Sequence, residues 1–209
     1  MNIEAFDQFA VDYDKWFDTY KFAYQSELEA VKKFNPSQGI GIEVGTGTGR
    51  FSVRFGIKIG VEPSESMAAI SRARGIKIYK AIAEQLPFDD KSFDFALMIT
   101  TLCFVDNPSL AIKEIYRILK PKGKIIIGII DKESELGKKY ETMKTSNKFY
   151  SSATFYFTQS VIELMQKSKF LEIEISQTIF SDPSSMVKPD AVLDNFGCGA
   201  FVVFSATKK

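Results

Sequence analysis

Glu43, Gly45, Gly47, Gly49 and Glu62 are the residues of this 209-residue chain whose types and spacing could do chemistry. They lie in and after the run IEVGTGTGRFS, where apolar residues give way to glycine at alternate positions. A strand that breaks into glycine ahead of a helix brings backbone N–H groups and the helix N-terminus onto a ligand. Arg50 stands where a G-x-G-x-x-G fingerprint has its third glycine, a departure that by itself separates little. Glu43 separates more. A carboxylate beside a pyrophosphate is repelled, whereas beside an ammonium group it supports binding, directly or by fixing the loop. Glu62 ends the next apolar stretch, in IGVEPSESM, where a carboxylate can accept hydrogen bonds from both hydroxyls of a ribose. Its separation from Gly45 is somewhat below the ~20 residues of a dinucleotide unit. A tight strand-to-helix turn without a ligand explains the glycines alone, but not the glycines together with both carboxylates.

Other chemistry is excluded by what the chain lacks. It contains no histidine, which removes Ser-His-Asp and Cys-His machinery, histidine bases and histidine metal ligands. No metal is expected. Apolar residues make up 45% and charged residues 25%, the balance of a soluble globular domain, and the length suits one domain spanning 1–209. A net charge of +1 gives no broad field for nucleic acid or an anionic membrane. Cys103 and Cys198 are too few and too far apart for a disulfide framework, which with the acidic N-terminus points to a cytoplasmic protein. No apolar stretch is long enough to span a bilayer.

The elements that must position these residues follow from periodicity. Phe6, Phe9, Tyr13, Trp16 and Phe17 recur at helical spacing, and a second helix is expected over Tyr24 to Phe34, so that 1–35 forms a helical cap. Strands are expected at Ile40 to Val44, Ile57 to Val61 and Lys77 to Ala81, with a helix from Ser64, its N-cap, to Arg74. FDFALMIT and KIIIGII are apolar throughout, as in strands covered on both faces, and NPSLAIKEIYRILKPKG between them reads as a helix with a Pro-Lys-Gly stop. The alternation predicts an α/β, Rossmann-like, doubly wound, mostly parallel seven-stranded sheet. Phe170 to Ile179 and Gly199 to Ala206 lack a crossover helix between them and are expected as an antiparallel C-terminal edge pair. The segments 132–152 and 181–199 are expected as excursions on the substrate side.

Five stretches in order resemble the class I S-adenosylmethionine-dependent methyltransferases, in particular the ubiquinone-biosynthesis-like branch that acts on small molecules. EVGTGTGRFS is similar to the family's glycine motif, GVEPSESM to its acidic second motif, and AEQLPFDDKSFDFALM to its A-E-x-L-P-F-x-D-x-S-F-D run. LCFVDNPSLAIKEIYRILKPKGKIII resembles the fourth and fifth motifs, and FDQFAVDYDKWF the N-terminal segment that caps the cofactor. The resemblance implies S-adenosylmethionine as cofactor and S-adenosylhomocysteine as its product. Glu43 and the loop of Gly45, Thr46, Gly47 and Gly49 would hold the methionine end, and Glu62 the ribose. Pro63 and Met67 would pack near the adenine, although Met67 reads equally as a core residue. Ile82 stands where the family often has an acidic side chain for the adenine, leaving the backbone of Ala83, or Glu84, which is as readily structural. Thr100 and Leu102 would lie along the cofactor. Cys103 and Phe104 would face the acceptor, although Cys103 reads first as a small buried hydrophobe. Tyr13 and Trp16 would close over the site, or simply pack the cap.

The reaction implied is direct in-line attack on a sulfonium methyl, which needs alignment, desolvation and proximity rather than a covalent intermediate. Asp14 and Tyr13 are within reach in principle, but the sequence gives them no activating partner, so no catalytic base is assigned. The expected acceptor is a small molecule, an amine by preference, with no nucleic acid or membrane partner and a monomer or homodimer as the working unit. A nicotinamide-dependent oxidoreductase on a similar sheet and a non-catalytic cofactor-binding protein are the alternatives.

Overall fold

The computed structural model describes residues 3–209. Three cap helices come first: α1 (Glu4–Gln8), α2 (Ala10–Thr19) and α3 (Lys21–Lys32). Strands and helices then alternate through β1 (Gly41–Val44), α4 (Arg50–Arg54), β2 (Ile59–Val61), α5 (Glu65–Ala73), β3 (Lys77–Tyr79), β4 (Phe93–Ile99), α6 (Pro108–Ile118) and β5 (Leu119–Ile130). The chain finishes with α7 (Glu135–Thr142), α8 (Thr158–Lys167), β6 (Phe170–Thr178), β7 (Leu193–Asp194) and β8 (Phe201–Lys208).

One sheet runs in the order β3-β2-β1-β4-β5-β8-β6-β7. The pairs from β3 to β5 are parallel, and β8 is antiparallel to both β5 and β6. The sheet is thus Rossmann-like and mostly parallel with antiparallel C-terminal strands. It has one strand more than the seven the sequence implies, because the two-residue β7 adds to the rim. The last strand is not at the edge but slots between β5 and β6, and its run FVVFSA is apolar because both faces are covered.

Side chains alternate between two cores. Ala96, Met98, Ile125, Ile127, Val202 and Phe204 face one side with α6 and α8, while Phe95, Leu97, Ile99, Ile126 and Val203 face the other with the cap helices. The helix α6 shows why local sequence suffices there. Asn107 caps it by accepting from Leu110 N at 3.0 Å, Pro108 occupies its first turn, and Ala111, Ile112, Ile115 and Ile118 form one buried stripe. Burying each isoleucine contributes about 1.5–3 kcal/mol. The Pro-Lys-Gly stop lies just past the helix end, as read. The helix ends at Ile118, Leu119 is already extended, and Lys120–Gly123 lies within β5 as an irregularity, with Lys122 at φ 63° and a register shift against β4. Lys208 adds to the stop by donating to the carbonyls of Tyr116 at 2.6 Å and Leu119 at 2.7 Å.

The run LPFDDKSFD is a loop held by α6. Arg117 donates to the carbonyls of Leu86 and Phe88, and Glu114 accepts from Leu86 N at 2.9 Å. In the order β3-β2-β1-β4-β5 the direction of winding reverses between β1 and β4, so a crevice opens at the carboxyl ends of those strands. Gly45, Glu62 and Thr100 leave β1, β2 and β4 there.

Candidate active site

Gly45 follows β1 with φ 76°, and a Cβ there would collide with the side chain of Thr101. That crowding brings the two loops together: Thr101 Oγ1 donates to Gly45 O at 3.2 Å. Gly49, also left-handed at φ 83°, lets α4 pack onto Ser71 and Ile76. Gly45→Ala is therefore expected to lower stability by ~2–4 kcal/mol, from left-handed strain and overpacking together. Chemical denaturation measures that loss, and a stability equal to wild type would contradict the packing described.

Glu62 holds the loop from the other side. Its Oε2 accepts from Gly47 N at 2.8 Å and its Oε1 from Ser64 N at 2.9 Å. Burial raises its carboxyl to about 7, against those two backbone bonds, which favour the anion. Ser64 caps α5 by accepting from Met67 N and donates to Asp7 Oδ1 at 2.6 Å, so α1 sits over the end of β2.

A small cavity of about 50 Å³ lies against this loop. Gly45, Gly47, Glu62, Pro63, Met67 and Thr100 line it, all of them named from sequence. Phe104 lines it too, and its ring meets Phe6 edge-on at 4.9 Å. Tyr13 lines it as well, and Ile3, Phe6 and Thr101, which were missed, complete the lining. Phe6 carried a signal, the helical aromatic spacing of the opening segment; Thr101 carried none.

Several named residues lie behind the cavity rather than along it. Glu43 is buried and accepts from Ser52 Oγ of α4, and burial raises its carboxyl to about 8 against that bond. It ties β1 to α4, which is loop fixing rather than direct contact. Thr46 Oγ1 donates to Glu43 O at 3.0 Å and Val61 O at 3.3 Å, pinning the loop to both strands. Ala83 packs in the core beneath β1 and β2. Glu84 accepts from Asp106 N and Asn107 N with Oε1, so it secures the start of α6. Leu102 and Cys103 line a separate crevice of about 10 Å³, and burial pushes the Cys103 thiol up to about 12, the behaviour of a hydrophobe.

The cap is fastened across the loop by charge. Asp14 of α2 receives Arg50 Nε at 2.9 Å and Nη2 at 2.8 Å, and Arg74 Nη1 and Nη2 each at 2.8 Å. Burial works to raise its carboxyl, but the bonds from Arg74 and Arg50 outweigh it and hold Asp14 well below the usual range. An acid so held is a clamp and not a proton acceptor. Tyr13, one residue earlier, lies beside Thr100 at the small cavity, and burial pushes its phenol well above its ordinary value.

Beyond Tyr13 and Thr100 a second cavity of about 370 Å³ opens. Trp16 of α2, Tyr20 between α2 and α3, Glu27 of α3, Tyr140 of α7, Tyr150 and Asp182 are among its walls. Segments 132–152 and 181–199 both contribute to it. Neither Cys103 nor Phe104 does. Glu27 was missed, although the sequence marks it: it falls on the same helical face as Ala23, Tyr24, Ala30 and Val31, all buried.

Residues 42–127 match the methyltransferase domain family. The chain is 50% identical to a crystal structure of a S-adenosylmethionine-dependent methyltransferase from Thermotoga maritima, described as a "possible histamine N-methyltransferase", with a TM-score of 0.97 over 100% of both chains. It is 48% identical to an uncharacterised protein of Methanocaldococcus jannaschii over 99% of this chain and 100% of that one. A ubiquinone/menaquinone biosynthesis C-methyltransferase of Idiomarina loihiensis is 31% identical over 41% of this chain and 40% of its own. With the glycine loop, the Glu62 anchor and the reversed β8 already in place, these similarities set aside the nicotinamide and non-catalytic alternatives: the chain belongs to the class I S-adenosylmethionine-dependent methyltransferases and is an enzyme of that family.

Proposed function

We propose that the enzyme methylates a small molecule held in the larger cavity, with S-adenosylmethionine seated along Gly45–Gly47 and Glu62. The observation that carries this reading is the shared wall: Tyr13 and Thr100 line both cavities, so ligands in the two meet at that point. The fit on the cofactor side rests on Glu62, whose carboxylate ends at the cavity beside exposed glycine backbone with no side chain to fill the space. When bound, S-adenosylmethionine supplies a methyl group on a sulfonium, whose leaving group is a neutral thioether. The protein's share is placement and exclusion of water: Phe6, Tyr13 and Phe149 stack edge and face over the junction.

A volume of about 370 Å³ suits a small organic molecule and is far below what a macromolecular surface presents. An amine is the acceptor class we favour, and the description of the Thermotoga maritima protein supports it. The test is transfer of a labelled methyl group to a panel of small amines, phenols, thiols and carbon acids, run beside total protein and RNA. Label in one class of small molecule is expected. Label confined to protein or RNA would overturn the reading.

A further inference from the structure

We infer that Glu27 is the recognition group for a cationic amine acceptor: its carboxylate binds the ammonium inside the large cavity and takes the proton that the nitrogen must lose before methylation. The inference rests on the methyltransferase reading above and adds the substrate's charge and the residue that reads it.

Glu27 is 4% exposed, yet among the described residues its carboxylate has no hydrogen-bond or ion-pair partner. A buried carboxylate normally has both, because burying an unpaired charge is costly. Here the side chain ends in the cavity wall, so a ligand can be the partner. The rest of the wall favours a cation. Trp16, Tyr20, Tyr140, Phe149 and Tyr150 present aromatic surface to it. The cavity's lysine is already neutralised, since Lys139 Nζ donates to Asp182 Oδ2 at 2.5 Å, a bond that with Ser184 lowers the Asp182 carboxyl to about 2. Lys139 and Asp182 cancel, and Glu27 is left to set the sign.

Position agrees with chemistry. Glu27 shares the large cavity with Tyr13, which also lines the small cavity with Glu62, and both carboxylates act on the Tyr13 phenol. An ammonium has no lone pair for attack. It gives one proton to the Glu27 carboxylate; the freed lone pair forms the new C–N bond as the methyl carbon's bond to sulfur breaks, and that bonding pair stays on sulfur. The products are the N-methylated ammonium, a neutral thioether and a protonated Glu27, whose proton passes to water as product leaves. Burial alone raises Glu27 to about 8, close enough to an alkylamine for this exchange. The titratable groups facing it are Tyr13 of α2, Tyr20 between α2 and α3, Tyr24 of its own helix, Tyr140 of α7, Tyr150, and the Lys139–Asp182 pair. Burial pushes the phenols of Tyr13, Tyr24, Tyr140 and Tyr150 upward, which keeps them neutral where Glu27 titrates.

The test uses the intact protein saturated with S-adenosylhomocysteine and a panel of aryl-alkyl and imidazolyl-alkyl amines, each paired with its neutral alcohol. Trp16 is the chain's single tryptophan and lines the cavity, so its fluorescence reports occupancy. Amines are expected to bind more tightly than their alcohols, and Glu27→Gln to weaken the amines by about 30-fold or more while leaving the alcohols and S-adenosylhomocysteine unchanged. Calorimetry in buffers of differing ionisation enthalpy adds a second readout: near pH 7, amine binding releases close to one proton in the wild type and none in Glu27→Gln. Alcohols binding as tightly as amines, amines indifferent to Glu27→Gln, or no proton release would each overturn the inference while leaving methyl transfer to a small molecule intact. Failure of the wild type to bind S-adenosylhomocysteine would instead strike the reading beneath it.

Discussion

Replacing Glu62 by alanine is expected to weaken S-adenosylhomocysteine binding by about 100-fold or more, because in the proposed seating two ribose hydroxyls donate to this charged acceptor, each bond worth ~1.5–3 kcal/mol. The loss has a second source. Glu62 also accepts from Gly47 N and Ser64 N, so its removal frees the loop that shapes the pocket. Calorimetric titration separates the two: Glu62→Gln keeps an acceptor of the same size and should fall between wild type and alanine. The wild-type affinity should also depend on pH. The Glu62 carboxyl titrates near 7, and the hydroxyls favour its anion, so affinity rises as pH passes upward through that value and levels off above it. Equal affinities for wild type and Glu62→Ala would remove Glu62 from the binding site.

The second large effect is expected at Asp14. It is the point where α2 meets both Arg50 and Arg74, and its side chain is 17% exposed. Asp14→Ala leaves Arg50 with Asp18 and the Asp14 backbone carbonyl and Arg74 with the Thr48 carbonyl, but removes the one carboxylate that joins the two guanidinium groups, at a cost of about 2 kcal/mol in global stability. The pH dependence has a definite sign. The Asp14 carboxyl is held below its unfolded value in the folded protein. Its contribution is therefore present in full above the unfolded value of about 3.9 and is lost as pH falls toward the folded value. In urea titrations the gap between wild type and Asp14→Ala should be widest near pH 7 and narrower by about 1 kcal/mol at pH 3. A gap that does not change with pH would mean the clamp contributes shape and not charge. Because α2 also carries Tyr13 and Trp16, the variant should close poorly over both cavities.

The parts of the site that sequence made legible are those built within one strand-loop-helix unit. Ser64 was readable as an N-cap because the hydroxyl and the helix it caps are adjacent in the chain. Glu62 and the alternate glycines were readable for the same reason, and the central strands because burial on both faces demands an unbroken apolar run. What stayed hidden depends on contacts made at long range. Glu43 could be read as reaching the ligand or fixing the loop, and only the position of Ser52 decides for the loop. Cys103 and Phe104 are neighbours in sequence, but a turn of 3-10 helix over Leu102–Phe104 sends them to different cavities. The Pro-Lys-Gly stop was legible, but the contact of Lys208, from the far end of the chain, with the last carbonyls of α6 was not. The large cavity is assembled from α2, α3, α7, the stretch between α7 and α8, and the loop before β7, segments with no local pattern in common. Glu27 is the instructive omission, since helical periodicity alone puts this carboxylate on an otherwise apolar face of α3.

The central claim is that the methyl donor and its acceptor meet at the wall formed by Tyr13 and Thr100. A crystal structure with S-adenosylhomocysteine bound tests it most directly. The expected result is ligand along Gly45–Gly47, its ribose on Glu62, and its sulfur turned toward Tyr13 and Thr100 with the large cavity beyond. Sulfur turned away from that wall, or ligand seated elsewhere, would contradict it.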